Sequence, residues 1–229
     1  MYRSIFIDLD DTLWAFSQNS HDTFEQLYQH FNYDRFFSSF NHFYSLYIKR
    51  NRELWVEYGN GNISKEHLNR ERFSHPLKMV GINDNELPKM FSELFFKEVA
   101  LKDKLMPDTI AALEYLYKKY DLYILSNGFH GLQQQKMESS GLCKYFKDII
   151  LSEDAGVHKP HKDIFEYALT KTNSQAESSI MIGDSWENDI VGARNAGWAQ
   201  GFYNITSKIE FPFQPTFIFN DWKDICKYL

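Results

Sequence analysis

Two carboxylates at a two-residue spacing open the chain: Asp8 and Asp10 follow Ile5-Phe6-Ile7 within Asp8-Leu9-Asp10-Asp11-Thr12. On an extended strand, residues i and i+2 face the same way, so both would enter one pocket. Carboxylates brought together there either share a proton or bind a cation. A third, Asp184, lies in Gly183-Asp184-Ser185-Trp186-Glu187-Asn188-Asp189. For an oxygen-only site the expected ion is magnesium (Mg2+). Ser126-Asn127-Gly128 offers a hydroxyl followed by backbone N–H groups, which suits a phosphate, and Lys159 in His158-Lys159-Pro160 could neutralise one as a point charge. Each fragment alone also has an ordinary reading as a cap, a turn or a solvated lysine.

The elements that would position these residues are short apolar runs, each closed by one of the polar clusters. Ile5-Phe6-Ile7 ends at Asp8, Leu122–Leu125 at Ser126, Ile149–Leu151 at Ser152, and Ile180–Ile182 at Gly183-Asp184, with weaker runs at 201–203 and 217–219. Such runs read as buried strands of a parallel sheet. Helical patterns lie between them. Pro107 suits a first helical turn followed by Ile110, Leu113 and Tyr117, and Ile164, Phe165, Ala168 and Leu169 repeat the spacing. The expected fold is α/β, a doubly wound parallel sheet, in which ligands sit at the carboxyl ends of the strands.

Between about Phe16 and Val99 the alternation stops. Phe24, Leu27, Tyr28 and Phe31 share one helix face; Phe40, Phe43, Tyr44 and Tyr47 share another, as do Leu87, Met90, Phe91 and Leu94. Breaks are expected at Gly59-Asn60-Gly61-Asn62 and around His75-Pro76. The expected division is a catalytic core over 1–15 and 100–229 and an inserted all-helical domain over 16–99. The 17% aromatic content excludes intrinsic disorder. A net charge of −6 advertises no nucleic acid polymer as partner. Cys143 and Cys226 form neither a metal-like spacing nor a disulfide framework. With no apolar stretch near membrane length, a soluble, cytoplasmic protein is expected.

Taken in order, Asp-x-Asp-x-Thr at 8–12, Ser126, Lys159-Pro160 and Gly183-Asp184 with Asp189 resemble the four motifs of the haloacid dehalogenase superfamily of hydrolases. The resemblance spans essentially the whole chain and implies a Rossmann-like core with a helical cap of the superfamily's first type. It implies Asp8 as catalytic nucleophile and Asp10 as the acid that protonates a leaving oxygen and then deprotonates water. Magnesium would be held by Asp8, Asp184 and the backbone carbonyl of Asp10, and phosphate by Ser126, the Asn127 backbone and Lys159. Asp189 would orient Lys159 or metal-bound water, and Thr12 would brace its own loop. The superfamily's true dehalogenases lack the second aspartate, because a halide needs no proton; Asp10 therefore favours phosphate-ester hydrolysis.

Three further segments narrow the branch. Leu54–Gly61, Asn127–Gln134 and Ser140-Gly141-Leu142 are similar to segments of the bacterial pyrimidine 5′-nucleotidases. They imply a small-molecule phosphomonoester substrate, a nucleoside 5′-monophosphate such as UMP, dUMP or dTMP, with Trp14, Phe16, Phe129 or Trp55 available to stack a base. The alternative is a phosphatase for sugar phosphates or phosphoglycolate. A phospho-accepting receiver domain places its acceptor aspartate after the third strand and has no such insert. A silent binding protein on this fold would be expected to lose Asp8, Asp10 or Lys159.

Overall fold

The computed structural model describes residues 2–206 and 210–229. The chain separates into two compact units, one formed by Met1–Ser17 with Asp103–Leu229 and the other by Gln18–Lys102. From the N-terminus, β1 (Ser4–Ile7) leads into four helices, α1 (Phe16–His30), α2 (Phe40–Gly59), α3 (Lys65–Met79) and α4 (Glu86–Val99). Next come α5 (Thr109–Leu116), β2 (Asp121–Ser126), α6 (Leu132–Ser139), β3 (Asp148–Leu151), α7 (Ser152–Ala155) and α8 (Lys162–Thr172). The chain closes with β4 (Ser179–Gly183), α9 (Gly192–Asn195), β5 (Ala199–Tyr203) and β6 (Phe217–Phe219).

All six strands are parallel, in the order β3-β2-β1-β4-β5-β6. The first strand is therefore central, and Ile7 stands level with Ile124 on one side and Ile182 on the other. Every residue of β1 and β4 is buried, as strands covered by helices on both faces must be. One part of that cover packs Phe6, Tyr123, Leu125, Ile150 and Met181 against Ile164, Phe165 and Ala168 of α8 and against Trp198. The order reverses beside β1, so the carboxyl ends of β1, β2 and β4 frame the crevice where a doubly wound sheet accepts a ligand.

The helical unit closes around aromatic rings. Phe24 of α1 has the rings of Phe43, Tyr44, Tyr47, Phe73, Phe91 and Phe95 at centroid distances from 4.2 to 6.1 Å. Serine hydroxyls cap two of these helices: Ser39 accepts from the His42 N–H at 3.1 Å and Ser64 from the His67 N–H at 3.2 Å. No helix among the described residues is long and apolar enough to cross a membrane.

Three local expectations are corrected. The helix α3 runs straight through His75-Pro76 to Met79; Pro76 lies in the last turn, where its missing N–H costs a single backbone hydrogen bond and its buried ring contributes packing. In α4 the buried face is Pro88, Phe91, Phe95 and Val99, while Met90 is exposed. Likewise α5 begins at Thr109, after Pro107, and buries Ala112, Leu113 and Leu116 with Ile110 and Tyr117 outward. In both helices enough apolar residues occur to support two faces, and tertiary packing selects one.

Candidate active site

Strand geometry ends at Ile7, before either of the first two aspartates. The Asp8 N–H still donates to the Ile182 carbonyl of the neighbouring strand at 2.9 Å, and the chain then turns tightly. The Leu13 and Trp14 N–H groups reach back to the Leu9 carbonyl, and Asp11 takes a left-handed conformation at φ 58°. Asp11 also fixes the start of α1, accepting from the Ser17 N–H at 2.8 Å and the Ser17 hydroxyl at 2.6 Å. After the turn, the Asp8 and Asp10 side chains are held by different lysines, Lys159 and Lys136.

Asp8 belongs to a buried cluster around Lys159. The ammonium Nζ donates to Asp8 Oδ1 at 2.7 Å, to Asp189 Oδ1 at 2.6 Å and to the Leu125 carbonyl at 2.7 Å. Lys159 is placed by its own backbone, which exchanges two hydrogen bonds with the Asn127 side chain. The Lys159 N–H donates to Asn127 Oδ1 at 2.8 Å, and Asn127 Nδ2 donates to the Lys159 carbonyl at 2.9 Å. Burial disfavours the charged ammonium, but Asp189 and Asp8 outweigh it and hold the pKa of Lys159 above its ordinary value.

Asp184 faces this cluster from the end of β4. Thr12 ties it down: its hydroxyl donates to Asp184 Oδ1 at 2.8 Å and accepts from the Asp184 N–H at 3.0 Å. The threonine thus spans from the first loop to the end of β4 rather than bracing its own loop. Behind it, Gly183 leaves the room Asp189 needs, since a Cβ there would lie 2.1 Å from Asp189 Oδ2.

One carboxylate oxygen from each of Asp8, Asp184 and Asp189 lies within 4.8 Å of the others. Asp189 has both oxygens engaged, Oδ1 by Lys159 and Oδ2 by the Ser185 N–H at 3.1 Å. Asp8 and Asp184 each have one oxygen held by a donor of the chain and a second oxygen to offer. Burial, with Asp189 adding repulsion, pushes the Asp184 carboxyl up to about 7. Burial likewise raises Asp8 well above the ordinary carboxylate range, against the lowering effect of Lys159. Three carboxylates facing a single lysine leave an excess of negative charge in an all-oxygen site, the donor chemistry of a hard divalent cation. Asp8 and Asp184 are the side chains able to hold it.

Asp10 stands in a second cluster, built by two residues of α6 that sequence patterning did not single out for it. Gln133 Nε2 donates to Asp10 Oδ2 at 3.0 Å and to Ser126 Oγ at 2.8 Å. Lys136 Nζ donates to Asp10 Oδ1 at 2.7 Å and to Gln133 Oε1 at 2.8 Å. The lysine also sits over the rings of Trp14 and Phe16, at 4.7 and 5.0 Å from their centroids. Gln133 and Lys136 are 0% and 1% exposed. The only hint in the sequence was a spacing of three, which puts both on one helix face. Ser126 also accepts from the Gly128 N–H at 3.1 Å, so the hydroxyl joins the end of β2 to the Asp10 cluster.

Of the aromatic candidates, Trp14 is fully buried and Phe129 nearly so, whereas Phe16 is half-buried. Trp55 lies in the helical unit, where its ring meets Tyr58 edge-on at 5.8 Å.

A parallel sheet with carboxylates, a buried lysine and a hydroxyl gathered at the ends of its central strands defines a hydrolase built around an acidic, cation-ready centre. The model of the haloacid dehalogenase-like hydrolases matches residues 2–197, and the chain belongs to that family; it is an enzyme of the phosphatase type. It is 34% identical over 202 residues to pyrimidine 5′-nucleotidase YjjG of Escherichia coli, covering 87% of this chain and 85% of that one. It is 27% identical over 205 residues to pyrimidine 5′-nucleotidase PynA of Streptococcus pneumoniae, covering 89% and 84%. Among solved structures, the HAD-hydrolase YfnB of Bacillus subtilis, bound to magnesium, superposes with a TM-score of 0.87 at 27% identity, over 99% of this chain and 97% of that one.

Proposed function

We propose that this enzyme is a magnesium-dependent phosphomonoester hydrolase working through an aspartyl-phosphate, and that its substrates are nucleoside 5′-monophosphates with pyrimidine bases, UMP, dUMP and dTMP among them. The chemistry is carried by the separation of the two aspartates, Asp8 on Lys159 and Asp10 on Lys136. The substrate class is carried by the nearly full-length similarity to a pyrimidine 5′-nucleotidase.

In the first step an Asp8 carboxylate oxygen attacks phosphorus. The P–O ester bond breaks with its electron pair on the leaving oxygen, which takes a proton from Asp10. In the second step water attacks the phosphorus of the aspartyl-phosphate, gives a proton to Asp10, and the bond to Asp8 breaks. Ester and water become alcohol and inorganic phosphate, and both aspartates return to their starting forms. Ser126, the Asn127 N–H and Lys159 hold the remaining phosphoryl oxygens. Asp189 keeps Lys159 aimed at Asp8, and Thr12 keeps Asp184 in place. Asp8, Asp184 and the Asp10 carbonyl would hold magnesium, which supplies positive charge that lowers the repulsion between the Asp8 carboxylate and the phosphate dianion. The helical insert is assigned the role of cap domain, and the cytoplasm is the expected setting.

The test is phosphate release with magnesium across pyrimidine and purine 5′-monophosphates, a 3′-monophosphate, sugar phosphates and phosphoglycolate. The proposal expects the highest kcat/KM on pyrimidine 5′-monophosphates. A sugar phosphate or phosphoglycolate at the top would keep the chemistry and replace the substrate, and no release from any ester would remove both.

A further inference from the structure

We infer that Lys136 and Gln133 are positioning residues for the proton-transfer step: together they fix the Asp10 carboxylate beside the phosphate-binding hydroxyl of Ser126. This rests on the reading of Asp10 given above and extends it to two residues that touch neither the phosphate-binding lysine nor the acidic centre. The geometry is a closed set of contacts. Lys136 takes one oxygen of Asp10 and Gln133 the other, and Lys136 also orients the Gln133 amide through its carbonyl. The same Gln133 amide nitrogen then reaches Ser126. A carboxylate held at both oxygens cannot rotate about its terminal bond, so its direction is set by α6.

Three features show that the clamp is built into the fold. A lysine is rarely buried to 1% exposure unless it is paired, and the carboxylate Lys136 meets is that of Asp10. The rings of Trp14 and Phe16 lie against the ammonium, a cation–π arrangement that holds it in place. At Gly128 a Cβ would stand 2.3 Å from the Gln133 side chain, so the turn after β2 is shaped around that glutamine. General acid–base catalysis depends on holding donor and acceptor within hydrogen-bond reach, and Asp10, with a side chain still 29% exposed, would otherwise sample several rotamers.

The experiment compares two esters, a pyrimidine nucleoside 5′-monophosphate, whose alkoxide must be protonated to leave, and 2,4-dinitrophenyl phosphate, whose phenolate leaves without help. Wild type, Asp10→Asn, Lys136→Met, Lys136→Arg and Gln133→Leu are measured on both, with melting temperatures recorded for each. Lys136→Met is expected to lower kcat/KM on the nucleotide, which reports ester cleavage and excludes the later attack of water that both esters share, by about 10²-fold, the lower end of what acid–base catalysis contributes. Its loss on the dinitrophenyl ester is expected to be several-fold at most. Lys136→Arg should recover part of the nucleotide rate, and Gln133→Leu should show the same selectivity at smaller size. If Lys136→Met does not fold, Gln133→Leu and Lys136→Arg carry the comparison alone. Equal losses on both esters in the Lys136 and Gln133 variants, with Asp10→Asn selective for the nucleotide, overturn the positioning role and leave Asp10 its own. Equal losses in Asp10→Asn overturn the reading of Asp10, and the positioning role with it.

Discussion

At the scale of single residues, the arrangement around Asp8 makes separable demands. Lys159 keeps two other acceptors if the Asp8 charge is removed, Asp189 and the Leu125 carbonyl. Asp8→Asn should therefore fold with a melting temperature close to wild type while losing turnover by roughly 10³-fold or more; phosphate release within tenfold of wild type would remove Asp8 as nucleophile. Asp184 supplies a prediction about pH. Its folded pKa, about 7, lies above the ordinary carboxylate value, so the folded state binds this proton more tightly than the unfolded chain does. The stabilisation is complete at acid pH below the unfolded value and is lost as pH rises through about 7. Asp8, also raised, acts in the same direction. With a chelator present, the melting temperature should fall between pH 5 and pH 8, and added magnesium should raise it more at pH 8, because a metal ligand must be deprotonated. A magnesium effect of equal size at both pH values would contradict the assignment of these carboxylates as its ligands.

At the scale of elements, the strand ends were legible and the helix contributions were not. Ile5–Ile7 and Ile180–Ile182 announce buried strands because each is β-branched or large, apolar and closed by polar residues, and their adjacency as β1 and β4 brings Asp8 and Asp184 together. Lys136 lies in Leu132-Gln133-Gln134-Gln135-Lys136, which reads locally as a polar, solvated helix. What buries it is an ion pair to a residue 126 positions away, and no short-range periodicity encodes that. The same holds for Thr12, whose partner lies 172 positions along the chain. The end of β4 offers a direct check on how tightly these elements are fitted. Gly183→Ala would drive a methyl group into the Asp189 carboxylate, displacing it from Lys159 and Ser185. Overpacking of this kind costs about 1–3 kcal/mol, to be read as a lower urea midpoint at unchanged slope. Phosphatase activity should fall with it, and a variant of wild-type stability and rate would mean that Asp189 has room the structure does not give it.

At the scale of the whole molecule, the chain combines two kinds of core. One unit is a parallel sheet whose strands pack aliphatic and aromatic side chains against α8 and Trp198; the other is held by rings packed around Phe24. The aromatic stripes forecast that second core, but in α4 the chosen face differs from the expected one, since Phe95 and Val99 pack inward and Met90 does not. Spacing alone cannot choose between two adjacent apolar stripes; the rings of α1 and α2 do. Truncating Phe24 to alanine should therefore destabilise the helical unit by about 3–5 kcal/mol, the usual cost of removing a buried Phe side chain. The tryptophans divide between the units: Trp14, Trp186, Trp198 and Trp222 lie in the sheet unit and Trp55 in the helical one. Tryptophan fluorescence thus reports mainly on the sheet, whereas far-ultraviolet circular dichroism is weighted toward helices α1–α4. In Phe24→Ala the dichroism transition should precede the fluorescence transition on heating, a departure from two-state melting. Coincident transitions with a lowered common midpoint would instead mean that the two cores unfold as one cooperative body, so that damage to the aromatic core is transmitted to the sheet that carries Asp8 and Asp184.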